Sequence, residues 1–95
     1  MSKGETIDPL KASKIGFSFI FMRQERKLVK TYCDKGGSES YNLSIITDKS
    51  SRIIAIDIYK IIRTGSQGVK ARRIQYATPS VTLEIQKDLQ DITEE

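Results

Sequence analysis

Residues 53 to 80, IIAIDIYKIIRTGSQGVKARRIQYATPS, decide the fold of this 95-residue chain. The stretch begins with a run of isoleucines, passes through a glycine-containing connection at 64 to 68 and continues as a basic segment from 69 to 76. It ends in Thr78-Pro79-Ser80, where Thr78 or Ser80 suits a helix N-cap and the proline suits the first helical turn. The order predicts a strand, a loop, a basic strand and a capped helix.

The isoleucine run is compatible with two conformations. Ser51 could cap a helix over 52 to 62 and Gly65 could end it, which would give an α+β protein with a basic ribbon, as in some duplex-DNA-binding chromatin proteins. Six of the eleven residues from Arg52 to Ile62 are isoleucine, and β-branched side chains favour a pleated strand over a helix. We therefore predict a strand.

Such a strand would be apolar on both faces. Alternation places Ile54, Ile56, Ile58, Lys60 and Ile62 on one face and residues 53, 55, 57, 59 and 61 on the other. We expect a helix to cover one face and a partner subunit to meet the other.

Strands are also predicted upstream of this run. Alternating apolar residues at 15, 17, 19 and 21 indicate a half-buried strand whose phenylalanines pack in the core, with a charged turn at 23 to 27 and a returning strand at 28 to 33. Tyr41, Leu43 and Ile45 alternate with polar residues after a glycine-containing loop at 34 to 40. The basic segment alternates imperfectly, which a bulge or an edge position would explain.

The C-terminal helix is predicted to cover the sheet. Val81, Ile85, Leu89 and Ile92 form one helical stripe. The predicted fold class is α+β, with a curved antiparallel sheet followed by a C-terminal amphipathic helix. Residues 1–13 are expected to be a flexible arm, and residues 14–95 a single nucleic-acid-binding domain that forms a homodimer, since a short chain buries a small fraction of its surface.

The composition gives no support for an enzyme. The chain has no histidine and a single cysteine, Cys33, so zinc sites and the commonest general base are excluded. Asp34, Glu39, Asp48 and Asp57 show no motif spacing and are interpreted as turn and surface residues. We expect a non-enzymatic protein without cofactor or metal, soluble and intracellular (cytoplasm or nucleus, in a host cell if viral), with no membrane partner.

Positive charge is concentrated in one part of the chain. Residues 48 to 76 hold seven Lys or Arg and two acids, whereas residues 77 to 95 hold one Lys and five acids. A basic sheet backed by an acidic helix is typical of a nucleic-acid-binding module, because many cations can meet a phosphate backbone at once.

Residues 41 to 92 resemble the transcriptional coactivator family known as positive cofactor four. The likeness is carried by the hydrophobic strand 54–59, the connection at 64–68, the basic segment Lys70-Ala71-Arg72-Arg73, the pair of Ile74 and Tyr76, and the Pro79 helix. Two departures are the absence of a glycine after Arg73 and one extra residue between Ile74 and Pro79. The resemblance implies a dimer whose curved sheets form channels for single-stranded DNA and whose helices pack at the dimer interface.

Binding of single strands requires cations for phosphates and aromatic faces for bases. By this resemblance the cation candidates are Lys60, Arg63, Lys70, Arg72 and Arg73, and the stacking candidates are Tyr59 and Tyr76 with Tyr41 behind them. The expected function is to hold unpaired DNA, and possible RNA, in replication, repair or transcription. The alternative is a structural or protein-interaction module that uses the isoleucine-rich strand and keeps the basic residues for solubility.

Overall fold

A computed structural model of the protein describes residues 4–63 and 65–94. The elements in chain order are α1 (Pro9–Lys14), β1 (Ser18–Phe21), β2 (Glu25–Cys33), β3 (Ser40–Asp48), β4 (Ile53–Arg63), a 3-10 turn (Gly65–Gln67), β5 (Val69–Ile74) and α2 (Pro79–Ile92). The strands form one open antiparallel sheet in the order β1-β2-β3-β4-β5. The α+β prediction of an antiparallel sheet followed by a C-terminal helix is confirmed. Thr64 of the predicted connection and residues 1–3 of the predicted arm lie outside the described residues.

The isoleucine run is the strand β4, so the alternative helix over 52 to 62 is wrong. β4 pairs with β3 along most of its length and with β5 over its second half. Basic β5 is an edge strand, the position that explains its imperfect alternation.

A bulge near the start of β4 changes the predicted faces of its first residues. Thr47 pairs with Ile53 whereas Ile46 pairs with Ala55, so Ile54 is an extra residue in the ladder. Ile53 is therefore 2% exposed in the core, while Ile54 is 41% exposed. Strict alternation placed Ile53 on the face of Ala55 and Asp57, because period two does not allow for a bulge. The structure places Ile53 on the core side with Ile56 and Ile58.

The sheet has an inner face, against which the helices pack, and an outer face. Asp88 of α2 contacts Lys30 and Tyr32, and Ala12 of α1 belongs to the same buried cluster as Leu28, so both helices lie on the inner side. By register and alternation the inner face comprises Leu28, Lys30, Tyr32, Tyr41, Leu43, Ile45, Ile53, Ile56, Ile58, Lys60, Ile62, Lys70, Arg72 and Ile74. The outer face comprises Lys27, Val29, Thr31, Asn42, Ser44, Ile46, Ala55, Asp57, Tyr59, Ile61, Arg63, Ala71 and Arg73.

The core lies between the inner face and α2. The predicted stripe of α2 is confirmed, since Val81, Ile85 and Ile92 are buried and Leu89 packs against the core. Each fully buried aliphatic side chain of this kind contributes about 1.5 to 3 kcal/mol of transfer free energy. Thr78 is the N-cap of α2, and Pro79 occupies its first turn. Neither described helix has the length and apolar character to cross a lipid bilayer.

Residues 4–13 differ from the flexible arm that the sequence predicts. The Asp8 side chain caps α1 by accepting hydrogen bonds from the backbone N–H groups of Leu10 and Lys11. Ile7 and Ala12 belong to the core, being 1% and 0% exposed. The polar composition of this segment gave no sign that Ile7 and Ala12 would be buried. Their burial orders the backbone around them.

The phenylalanine row occupies a shorter strand than predicted. β1 begins at Ser18, because Gly16 with φ of 105° turns the chain out of α1. Phe17 is buried and Phe19 packs against the core, whereas Phe21 is 73% exposed and lies under the Arg26 guanidinium. Core packing therefore holds for two of the three rings.

Candidate functional site

The eight residues singled out by the sequence are divided between the two faces of the sheet. Tyr41, Lys60, Lys70 and Arg72 lie on the inner face. Tyr59, Arg63 and Arg73 lie on the outer face, and Tyr76 lies in the segment between β5 and α2. The division follows from strand alternation, which sends neighbours such as Arg72 and Arg73 to opposite sides.

Tyr41, Lys60 and Arg72 line a shallow depression at the β4–β5 corner of the sheet, beside the start of α2. We call this depression the basic groove. It is lined by Tyr41, Lys60, Ile62 and residues 72–76. Lys70 is opposite Ile62 in the β4–β5 register and so continues the same face. The groove thus combines cations, a tyrosine and aliphatic side chains.

The cations of the basic groove differ in their partners. Lys60 Nζ lies 3.0 Å from Glu39 Oε1. Lys70 and Arg72 form no ion pair with any described residue. Lys60 and Arg72 are directly opposite each other in register, an arrangement that is unfavourable for like charges until an anion is present.

Arg73 has a different environment from Arg72. Its Nη2 lies 3.0 Å from Asp57 Oδ1 on the outer face. The Arg73 side chain is 74% exposed and that of Asp57 is 23% exposed. Arg73 contributes to the lining of the groove as part of the strand, but its charge is partly neutralised on the other side of the sheet.

Glu39, which sequence reasoning missed, lies outside the groove lining and contacts two of its residues. It accepts a hydrogen bond from the Tyr41 hydroxyl and pairs with Lys60. These two contacts hold the pKa of the Glu39 carboxyl below its usual value, and the bond to Glu39, together with burial, raises the pKa of Tyr41. Its position two residues before Tyr41 on the same strand face was the signal that could have located it.

The three candidate tyrosines are not equivalent. The Tyr76 side chain is 84% exposed, so its ring is accessible for stacking. Tyr41 is 3% exposed and offers no free ring face, and Tyr59 is half-buried on the outer face opposite Arg73. Within the basic groove, Tyr76 presents an exposed ring, whereas Tyr41 is buried and its hydroxyl donates a hydrogen bond to Glu39.

Lys30, on the β2 part of the inner face, has a carboxylate partner. Lys30 Nζ and the Tyr32 hydroxyl each lie 2.6 Å from Asp88 Oδ2 of α2. Burial, followed by the contact with Asp88, strongly raises the pKa of Tyr32. This network joins α2 to β2 and pairs the charge of Lys30, in contrast to the charges of Lys70 and Arg72 at the basic groove.

The described residues contain no group of three or more Cys, Asp or Glu side chains placed to hold a metal ion. Comparison of the chain with protein-family models, with curated proteins and with solved structures finds no match. The assignment of a function therefore depends on the geometry of the chain itself.

Proposed function

We propose that the protein is a non-enzymatic single-stranded DNA-binding protein that holds an unpaired strand in the basic groove during replication, repair or transcription. One observation carries the proposal: Lys70 and Arg72, which have no ion-pair partner among the described residues, lie on the same face as Lys60, and Arg72 lines the groove together with Tyr76, whose ring is exposed. Phosphates would meet these cations while a base stacks on the tyrosine.

The groove suits an unpaired strand better than a duplex. Bases of an unpaired strand expose their ring faces, and one exposed aromatic side chain can accept them without reading sequence. A duplex hides those faces in its own stack and is read by helices or ribbons inserted into its grooves. Both described helices instead pack on the inner face of the sheet.

The proposal includes a dimeric unit and a kinship with the positive cofactor four family. Both are supported by the order of elements from β3 to α2 and by the basic edge strand. RNA is a second candidate ligand, since phosphate contacts and base stacking do not discriminate the two sugars.

Fluorescence anisotropy with a labelled single strand and its duplex tests the proposal. The single strand should bind more tightly than the duplex, and its binding should weaken with salt. If three cations each contact one phosphate, the logarithm of the affinity should fall by about 2 for each tenfold rise in salt concentration. The variant Arg72→Ala should reduce that slope by about 0.7. The matched control is Lys27→Ala, which removes one positive charge from the outer face.

Absence of binding to either form at low salt would overturn the proposal. A protein-interaction module is then the remaining candidate, and the apolar residues of the outer face favour it. Such a module would keep its partner in the Arg72→Ala variant and lose it when the outer face is made polar.

A further inference from the structure

The outer face of the sheet has neither of the described helices packed against it. Both helices lie on the inner side. We infer that a second copy of this chain covers the outer face, so that two sheets stack face to face about a two-fold axis. The inference rests on the dimeric unit proposed above and is independent of nucleic-acid binding. It departs from the positive cofactor four resemblance, which implies that the helices pack at the dimer interface.

The composition of the outer face fits contact with another protein surface. Its centre carries Val29, Ile46, Ala55, Tyr59 and Ile61 from the three middle strands. Two polar pairs on this face are already formed, since the Thr31 hydroxyl donates to Asn42 Oδ1 at 2.8 Å and Arg73 pairs with Asp57. Covering this face would therefore bury apolar surface without leaving these polar groups unpaired.

The charge of the outer face favours a second copy over a strongly charged partner. Its strand residues include three acids, Glu25, Asp48 and Asp57, and three bases, Lys27, Arg63 and Arg73. The face is therefore neutral, and two copies would not repel each other. A polyanion would find no net attraction here, in contrast to the basic groove on the opposite side.

The area of the face is comparable with what a dimer requires. The five strands are four, nine, nine, eleven and six residues long, and at about 3.3 Å per residue and about 4.8 Å between strands they cover a face of roughly 600 Å². Interfaces of standard size bury about 800 Å² on each partner. Stacked sheets of this kind lie about 10 Å apart, close enough to exclude water from between the aliphatic side chains.

Sedimentation velocity over a range of micromolar concentrations, with two matched variants, tests this surface. Ala55→Lys places a charge at the centre of the outer face, where the side chain of a monomer can extend into water. Leu83→Lys makes the same charge change on the solvent side of α2, where Leu83 is 67% exposed. The expected result is a wild-type mass of twice 10.8 kDa, retained in Leu83→Lys and halved in Ala55→Lys with an unchanged circular dichroism spectrum.

A wild-type monomer at all concentrations would overturn both the surface and the dimeric unit. A dimer that persists in a folded Ala55→Lys variant would overturn the surface alone, and would instead indicate pairing through a sheet edge or α2. Neither result depends on oligonucleotide binding, so a failure of the proposed dimer surface can be distinguished from a failure of the proposed single-stranded DNA binding.

A fluorescent reporter decides the question if Ala55→Lys does not fold. The chain contains no tryptophan, so Ala71→Trp would place a single indole on the outer face of β5. Its emission should shift to shorter wavelength as the protein concentration rises, while Leu83→Trp should show no shift. An Ala71→Trp spectrum that is independent of concentration, in a sample that sediments as a dimer, would overturn the proposed surface.

Discussion

Lys60 and Arg72 face each other across β4 and β5, and only Lys60 has a carboxylate partner among the described residues. Two cations placed directly opposite each other destabilise a strand pair. A sheet designed for stability alone would place an acid at one of these positions. The surplus positive charge is explained if the groove binds an anion, because the bound anion offsets the repulsion between Lys60 and Arg72.

The first prediction separates two adjacent arginines. Arg72→Ala should weaken single-strand binding about tenfold at low salt, because it removes a charged donor from the basic groove. Arg73→Ala should weaken it by less than about twofold, because the Arg73 guanidinium lies against Asp57 on the outer face. Anisotropy titrations of both variants check this, and equal losses would show that the strand does not run along the inner face.

The second prediction concerns base stacking on Tyr76. Tyr76→Ala should cost about 1 to 3 kcal/mol of binding free energy, whereas Tyr76→Phe should retain most of the affinity because the ring remains. The variants have little reason to destabilise the fold, since Tyr76 is 84% exposed. Quenching of tyrosine emission by a bound oligonucleotide provides a second readout, and it should disappear in the phenylalanine variant.

A matched control for Tyr76 lies on the other face. Tyr59→Ala removes a tyrosine from the outer face and should leave stacking in the groove intact. If Tyr59→Ala abolishes binding while Tyr76→Ala does not, the strand must contact the outer face instead.

The third prediction is that Glu39 restrains binding. Its carboxylate holds Lys60 at 3.0 Å and must release that cation, or repel the incoming phosphate, when a strand binds. Glu39→Gln should therefore raise affinity for the single strand about two- to fivefold. Because the pKa of Glu39 lies below its usual value, the gain over wild type should persist at pH values down to the normal titration range of glutamate, about 4.3.

The control for this variant is Glu25→Gln, which makes the same charge change at the far end of the outer face. It should leave affinity nearly unchanged. An equal rise in both variants would mean that net charge, and not release of Lys60, governs binding.

The order of elements from β1 to α2 was predictable because each has a local sequence pattern. β-branched residues favour the strand β4, and the Thr78-Pro79 start and the apolar stripe favour the helix α2. The bulge at Ile54 was not predictable, since an extra residue leaves no signature in an isoleucine-rich segment. The burial of Ile7 was missed for a related reason: its partners, Ser51 and Thr93, are distant in the sequence.

The candidate site was predicted in its residue types and only in part in its arrangement. Strand alternation along β5 places Arg72 and Arg73 on opposite faces of the sheet, whereas a count of charged residues treats them as one cluster. The partners of charged residues could not be predicted, because Glu39 and Lys60 are joined only by the β3–β4 pairing and Arg73 and Asp57 only by the β4–β5 pairing. Such pairings decide which cations remain available to a ligand.

The last prediction concerns stability at alkaline pH. The pKa of Tyr32 is raised in the folded protein, so the fold favours the protonated hydroxyl; this contribution is complete below the unfolded pKa of about 10 and is lost as the pH rises above it. Tyr32→Phe should cost about 0.5 to 1.5 kcal/mol at neutral pH, because Asp88 keeps Lys30 but loses one hydrogen bond. Above pH 10 the variant should lose stability less steeply than wild type, by up to about 1.4 kcal/mol per pH unit. Urea unfolding from neutral to alkaline pH measures both effects, with Tyr76→Phe as the control that removes an exposed hydroxyl. Parallel curves for wild type and Tyr32→Phe would show that the contact between Tyr32 and Asp88 does not hold α2 on the sheet.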